Sequence, residues 1–224
     1  MLTSDLIDRL IADVKPVQTL RSPWVRASLW LLSAAPYVAI VVAMMTLRSD
    51  WASKMSDPIF LIEQFAAFAT AFLAAVAAFA ITIPGVSRKV CIWPLIPLTI
   101  WLGSIGSGCI DSILADGLAG LNLRAGWACI PGIAIVGAFP AIVIVFMLRR
   151  GVPLWPSATA ALAGLATGAL GNVGLRMFHA QEASLMILVW QFGTVCALMI
   201  AAAAVGRILF KWPKPLMTLP READ

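Results

Sequence analysis

"IFLIEQFAAFATAFLAAVAAFAITI" (residues 59–83) sets the reading of the whole chain. Across this stretch the only ionisable side chain is Glu63. A helix needs about 20 apolar residues to cross the hydrocarbon of a bilayer, and the stretch exceeds that length. It shows none of the apolar/polar alternation of a barrel strand, and a lipid-exposed segment must satisfy its own backbone hydrogen bonds. A transmembrane helix is the remaining solution.

Five more runs of this kind surround it, near Ala27 to Thr46, Val90 to Gly108, Trp127 to Leu148, Ala158 to Met177 and Ala183 to Leu209. The predicted fold is therefore all-α, a polytopic bundle of six transmembrane helices. The whole sequence agrees: among 224 residues 61% are hydrophobic and 12% charged, and the mean hydropathy is +0.94. Soluble domains do not have this composition. Three parts are expected: residues 1–24 as a cytoplasmic segment, residues 25–210 as the membrane domain and residues 211–224 as a cytoplasmic tail.

Lysine and arginine give the orientation. With six spans, one side holds Arg9, Lys15, Arg21, Arg26, Arg88, Lys89, Arg149, Arg150, Arg207, Lys211, Lys214 and Arg221. The other holds Arg48, Lys54, Arg124 and Arg176. The richer side is expected to be cytoplasmic, with both termini. The excess of positive charge thus reflects topology, and no loop concentrates the basic and aromatic residues that track a nucleic-acid backbone. Trp24, Trp51, Trp127, Trp155 and Trp212 fall near span ends, where an indole favours the headgroup layer. Trp30, Trp101 and Trp190 lie deeper and are expected to pack between helices.

Outside the spans the connections are short, apart from "CIDSILADGLAGLNLRAG" (109–126). Proline and glycine mark tight turns in "IPGVSRK" (83–89) and "RRGVPLWP" (149–156). In "AGLATGALGNVGL" (163–175), Gly164 and Gly168 form a GxxxG pair, extended by Gly171 and Gly174. Such a stripe lets helices approach closely.

A transporter or channel is the alternative function class for a chain of this kind. It calls for ionisable groups facing a midplane cavity or for broken helices in an internal repeat. Glu63 is the nearest candidate, about one turn inside its span and expected to reach interfacial water. Asn172 and Gln191 are expected to form interhelical hydrogen bonds. An enzyme is disfavoured, because the sequence has no HExxH, GxSxG or phosphate loop and has a single histidine.

Ahead of the spans stands "TSDLIDRLIADVKPV" (3–17). A cleavable signal peptide does not fit it, since three aspartates precede an apolar run of full span length. On a helical wheel Leu6, Ile7, Leu10, Ile11 and Val14 share an arc of roughly 140°. Asp5, Asp8, Arg9, Asp13 and Lys15 occupy the rest. Ser4 or Asp5 is expected to cap the start, and Pro16 to end the helix.

So short a helix is marginal in water unless its apolar face is covered. A helix lying on anionic lipid carries a basic polar face, whereas this one has more aspartates than basic groups. A groove on another protein fits better, with the five apolar residues as anchors and Asp5, Asp8 and Asp13 meeting a basic rim. A helix that merely steadies the first span is the competing use.

Several stretches, in order and spacing, carry a resemblance. They are "DLIDRLIADVKPV", "SDPIFLIEQ", "IPGVSRK", "GSGC", "WACI", "MLRRGVPLWP" and "MFHAQEASLMILVWQ". Together they resemble the NrsF-type membrane anti-sigma factors, over nearly the whole chain to about Trp212. The resemblance implies a six-span inner-membrane protein that holds an extracytoplasmic-function sigma factor inactive through its N-terminal segment. It implies extracytoplasmic cysteines that sense heavy-metal or oxidative stress. No cofactor is expected beyond transient heavy-metal binding. Cys129 matches one such cysteine. The other usually follows a histidine, but here His179 is followed by Ala180.

Cys109 is a substitute, lying at the outer end of the third span with Cys129 at the start of the fourth. The two thiols permit three readings. A disulfide would close a loop of about 20 residues. A metal site would combine Cys109, Cys129 and His179, with Glu182 nearby. Simple packing is the third, and it is the expected role of Cys91 and Cys196. Asp111 and Asp116 are expected in a solvated loop.

Overall fold

The computed structural model describes residues 3–12, 20–116, 129–151, 153–179 and 187–210. Its helices are α1 (Thr3–Ala12), α2 (Pro23–Met45), the single turn α3 (Trp51–Lys54), α4 (Pro58–Ala80), α5 (Leu95–Asp116), α6 (Cys129–Arg149), α7 (Pro156–Phe178) and α8 (Gly193–Leu209). A 3₁₀ turn, Arg88–Ile92, leads into α5 and a π turn, Ile187–Phe192, leads into α8. Six of these helices, counting the 3₁₀ and π turns with α5 and α8, are long and apolar enough to cross a membrane. The all-α six-span expectation holds.

Span starts are set by local chemistry as well as by hydropathy. Pro23, Pro58 and Pro156 each stand in the first turn, where a missing N–H costs no helical bond. Ahead of Pro58, the Asp57 carboxylate accepts from the N–H groups of Ile59 and Phe60 at 3.1 and 3.4 Å. Ser22 caps α2 in the same manner through the N–H of Val25. The first-turn prolines, with caps at α2 and α4, place the starts of α2, α4 and α7 one to four residues ahead of the apolar runs.

α7 is the hub of the bundle. It packs against α8, α4, α6 and, less broadly, α2. Its glycines make the close approach possible. A Cβ at Gly171 would stand 2.6 Å from the carbonyl oxygen of Ile133 in α6, and one at Gly164 would stand 2.8 Å from Cβ of Ala202 in α8. The small-residue stripe is thus a contact surface between helices. The inner face of α4 is mostly alanine, with Ala67, Ala71, Ala74 and Ala75 fully buried.

α2 leans on α4 and α6, and two side chains tie it to α6. The Trp30 indole donates to the carbonyl oxygen of Pro140 at 2.9 Å, and the Tyr37 hydroxyl donates to that of Ile135 at 2.7 Å. α5 lies at the edge, packed on α4 and on the π turn. Trp30 and Trp101 are buried as expected, the latter edge-on to Phe192, while Trp190 is half-buried.

Candidate functional site

The bundle has two polar ends, named here after Trp51 and Arg88. At the Trp51 end the chain leaves α2 through Thr46, whose φ of 62° is a left-handed backbone that a β-branched residue rarely adopts. This turn carries Arg48 inward. Its backbone N–H donates to the carbonyl oxygen of Met177 at 3.1 Å, and its side chain is buried. Through Nε and one terminal nitrogen the guanidinium donates to both carboxylate oxygens of Asp50. Those hydrogen bonds hold the Asp50 carboxyl below its ordinary range.

Beneath this pair lies another. Arg176 in α7 donates to Glu63 in α4 at 2.6 Å, with both side chains buried. Phe60 packs between the two arginines, its ring 5.9 Å from the Arg48 guanidinium carbon and 5.1 Å from that of Arg176. Trp51 meets Phe60 edge-on. The expectation that Glu63 reaches interfacial water is therefore corrected: only 8% of the residue is exposed, and its charge faces an arginine. The one acidic residue of the opening stretch thus joins the second and fifth spans.

Three arginines counted toward the charge of one side or the other lie inside the protein. Besides Arg48 and Arg176, Arg26 is buried at the Arg88 end, donating to Thr82 at 3.2 Å and to the carbonyl oxygen of Met147 at 2.8 Å. The interhelical bonds expected for Asn172 and Gln191 are also not found among the described residues. Asn172 Oδ1 and both amide atoms of Gln191 are buried without a partner.

Cys129 is fully buried at the start of α6, clustered with Ile133 and Leu175 and flanked by Phe178 and Trp190. His179 follows α7 on the wall of a cavity of about 380 Å³ that Leu175 and Phe178 also line. Partial burial, and then the charge of Arg48, push its imidazole below the ordinary value. Cys109 is half-buried in α5, a helix with no extensive contact with α6. Asp111 and Asp116 belong to the last turns of α5, where a loop was expected. Glu182 lies outside the described residues. Among those residues, no three histidine, cysteine or acidic side chains are grouped to hold a metal ion.

The N-terminal helix is present as α1, beginning at Thr3, so Ser4 and Asp5 lie within its first turn rather than ahead of it. Ile7 and Ile11 are 50% and 64% exposed, and Asp5 and Asp8 are exposed as well. α1 has no extensive contact with any span among the described residues. The side chains of Leu6 and Leu10, and residues Asp13, Val14 and Pro16, lie outside the described set.

Hydropathy signals the spans, but nothing in a single sequence signals a partner for Glu63, because Arg176 is 113 residues away. An ionisable residue inside a span is itself the clue that a partner must exist.

No curated protein and no solved structure matches this chain. A family model does: the one described as NrsF, negative regulator of sigma F, matches residues 10–212. That span takes in all six membrane helices and the second half of the N-terminal stretch, and the chain belongs to the NrsF family of negative regulators of sigma F.

Proposed function

We propose that this protein holds an extracytoplasmic-function sigma factor inactive at the bacterial inner membrane by docking α1 into a groove of that factor. The observation that carries the reading is the exposure of Ile7 and Ile11 of α1 beside Asp5 and Asp8, in a family of negative sigma regulators. A short helix of this kind is stabilised by the partner that covers it. Leu6, Leu10 and Val14 extend the anchor set by their spacing, and Asp13 extends the acidic one. The excess of lysine and arginine at the Arg88 end supports a cytoplasmic location for that end and for both termini.

Release follows a heavy-metal or oxidant signal at the Trp51 end. Cys129 and His179 have Leu175 and Phe178 as common neighbours, and Leu175 precedes Arg176, the partner of Glu63. Chemistry at the Cys129 thiol therefore presses on the segment of α7 that holds α4, with Cys109 and Glu182 as further candidate ligands. Such coupling requires two bundle states that differ in affinity for the sigma factor.

The test is co-purification of the full-length membrane protein with the sigma factor encoded beside it. Ile7→Asp with Ile11→Asp changes exposed positions, so insertion is expected to persist while capture is lost. Retained capture would move the contact elsewhere. For the signal, Cys129→Ser is expected to blunt target-gene induction by metal or oxidant, and an unchanged response would exclude this thiol.

A further inference from the structure

We propose that the Arg88 end carries a binding site for the phosphate of an anionic phospholipid, set between spans and separate from α1, Cys109 and Cys129. A cavity of about 420 Å³ opens there, with Arg88, Arg207, Trp155 and Ser157 among its walls and Ile81 and Cys91 as apolar ones. The two guanidinium groups come from different elements, the 3₁₀ turn and the last turn of α8. Neither has a carboxylate partner among the described residues. Two exposed cations converging on one cavity repel each other, and a bound anion relieves that repulsion.

The geometry of the walls suits a phosphate. The Arg88 guanidinium carbon lies 3.9 Å from the centre of the Trp155 ring. Stacking fixes the plane of the group and leaves its N–H edge for a planar, paired contact with phosphate oxygens. α7 begins in the same wall with Pro156, and Trp155 at the cap position makes no side-chain cap bond. The N–H groups of Ser157 and Ala158 therefore lie in a first turn without helical acceptors, at the positive end of the helix dipole. The Ser157 hydroxyl adds a neutral donor.

Location selects lipid over a soluble anion. The cavity mixes cationic and apolar walls and has Trp155 in its lining, at the end of the bundle where Trp24 and Trp93 stack with ring centres 5.8 Å apart. Indoles clustered at one end of a spanning bundle favour the headgroup layer. Basic pockets between spans at this depth match a lipid whose phosphate enters the pocket while its chains remain in the bilayer.

The test uses the full-length protein in detergent and counts retained lipid by native mass spectrometry. Dioleoylphosphatidylglycerol is expected to be retained over dioleoylphosphatidylcholine. Arg88→Gln and Arg207→Gln should each weaken phosphatidylglycerol retention about fivefold, and the pair should weaken it by about the product. Lys89→Gln, which alters a neighbouring cation outside the cavity, should leave retention unchanged. Equal retention of the two lipids, or an equal loss in Lys89→Gln, would overturn the site in favour of diffuse surface charge. Displacement of phosphatidylglycerol by millimolar inorganic phosphate would make it a soluble-anion site and overturn the lipid assignment. The comparison of lipids on the unaltered protein stands whether or not the double variant folds.

Discussion

Glu63 and Arg176 form an ion pair at 2.6 Å that fastens α4 to α7 inside the bundle. Neither side chain has water to fall back on, so removing one partner strands the other. Arg176→Leu is expected to destabilise the protein by about 3 kcal/mol, as for other broken buried pairs. Leucine at both positions should recover most of that loss. Unfolding in mixed detergent micelles measures both, and a double variant no better than the single would deny the pairing its importance.

Helix approach at Gly171 gives a second expectation. A methyl group there would sit 2.6 Å from the carbonyl oxygen of Ile133, whereas one at Gly103 in α5 would meet nothing within 4 Å. Gly171→Ala should cost about 1–3 kcal/mol by forcing α6 and α7 apart. Gly103→Ala should be neutral or slightly stabilising, because alanine favours a helix interior over glycine. The two variants share one chemistry, so a difference in unfolding midpoint isolates packing.

The turn at Thr46 is strained, with φ at 62° on a β-branched residue whose side chain is exposed. Thr46→Gly should stabilise the fold by about 1 kcal/mol, since glycine adopts this backbone without the steric cost. A rise in thermal midpoint with unchanged insertion is the expected readout. A fall would assign Thr46 a contact that outweighs its strain.

Acidification should act first through His179. Its folded pKa lies below the ordinary value of 6.5, because of partial burial and then the nearby Arg48 charge. Between the two values the unfolded chain binds the proton and the folded protein resists it. Stability is therefore complete above about pH 6.5 and declines as the pH falls through that value toward the lower folded one. His179→Asn should flatten this part of a thermal-midpoint profile. Asp50, held low by hydrogen bonds from Arg48, contributes a separate loss that begins only below its ordinary 3.8.

Trp30 provides a local test of the α2–α6 contact. Trp30→Phe keeps an aromatic ring but removes the donor to the Pro140 carbonyl. The expected cost is about 1 kcal/mol for the hydrogen bond plus the volume lost in a fully buried site. A parallel loss in Tyr37→Phe, which frees the Ile135 carbonyl, would show that both ties hold the same pair of helices.

The spans were legible because lipid imposes one strong rule, a long apolar run, and all six runs satisfy it. Their ends were less so: hydropathy follows side chains, while Ser22, Asp57 and the prolines at 23, 58 and 156 set where helical hydrogen bonding begins. The glycine stripe was legible in kind but not in partner, since a GxxxG spacing does not say which helix it receives. Arg26, Arg48 and Arg176 were misplaced for a related reason. Counting charges by position in the chain assigns each only to one side of the membrane, yet a long arginine side chain reaches into the bundle when a carbonyl, a carboxylate or a ring awaits it. The face of α1 could be read from periodicity, but periodicity names no occupant.

α7 is the most deeply buried of the six spans and also the least apolar. Protein rather than lipid surrounds most of it, so its sequence can tolerate glycines, Asn172 and Arg176 that a solitary membrane segment would resist. The same property weakens its own claim to a place in the bilayer as it leaves the translocon. Its insertion is expected to draw on α4 and α6, which precede it in the chain and pack against it, so that the order of synthesis helps to build the bundle.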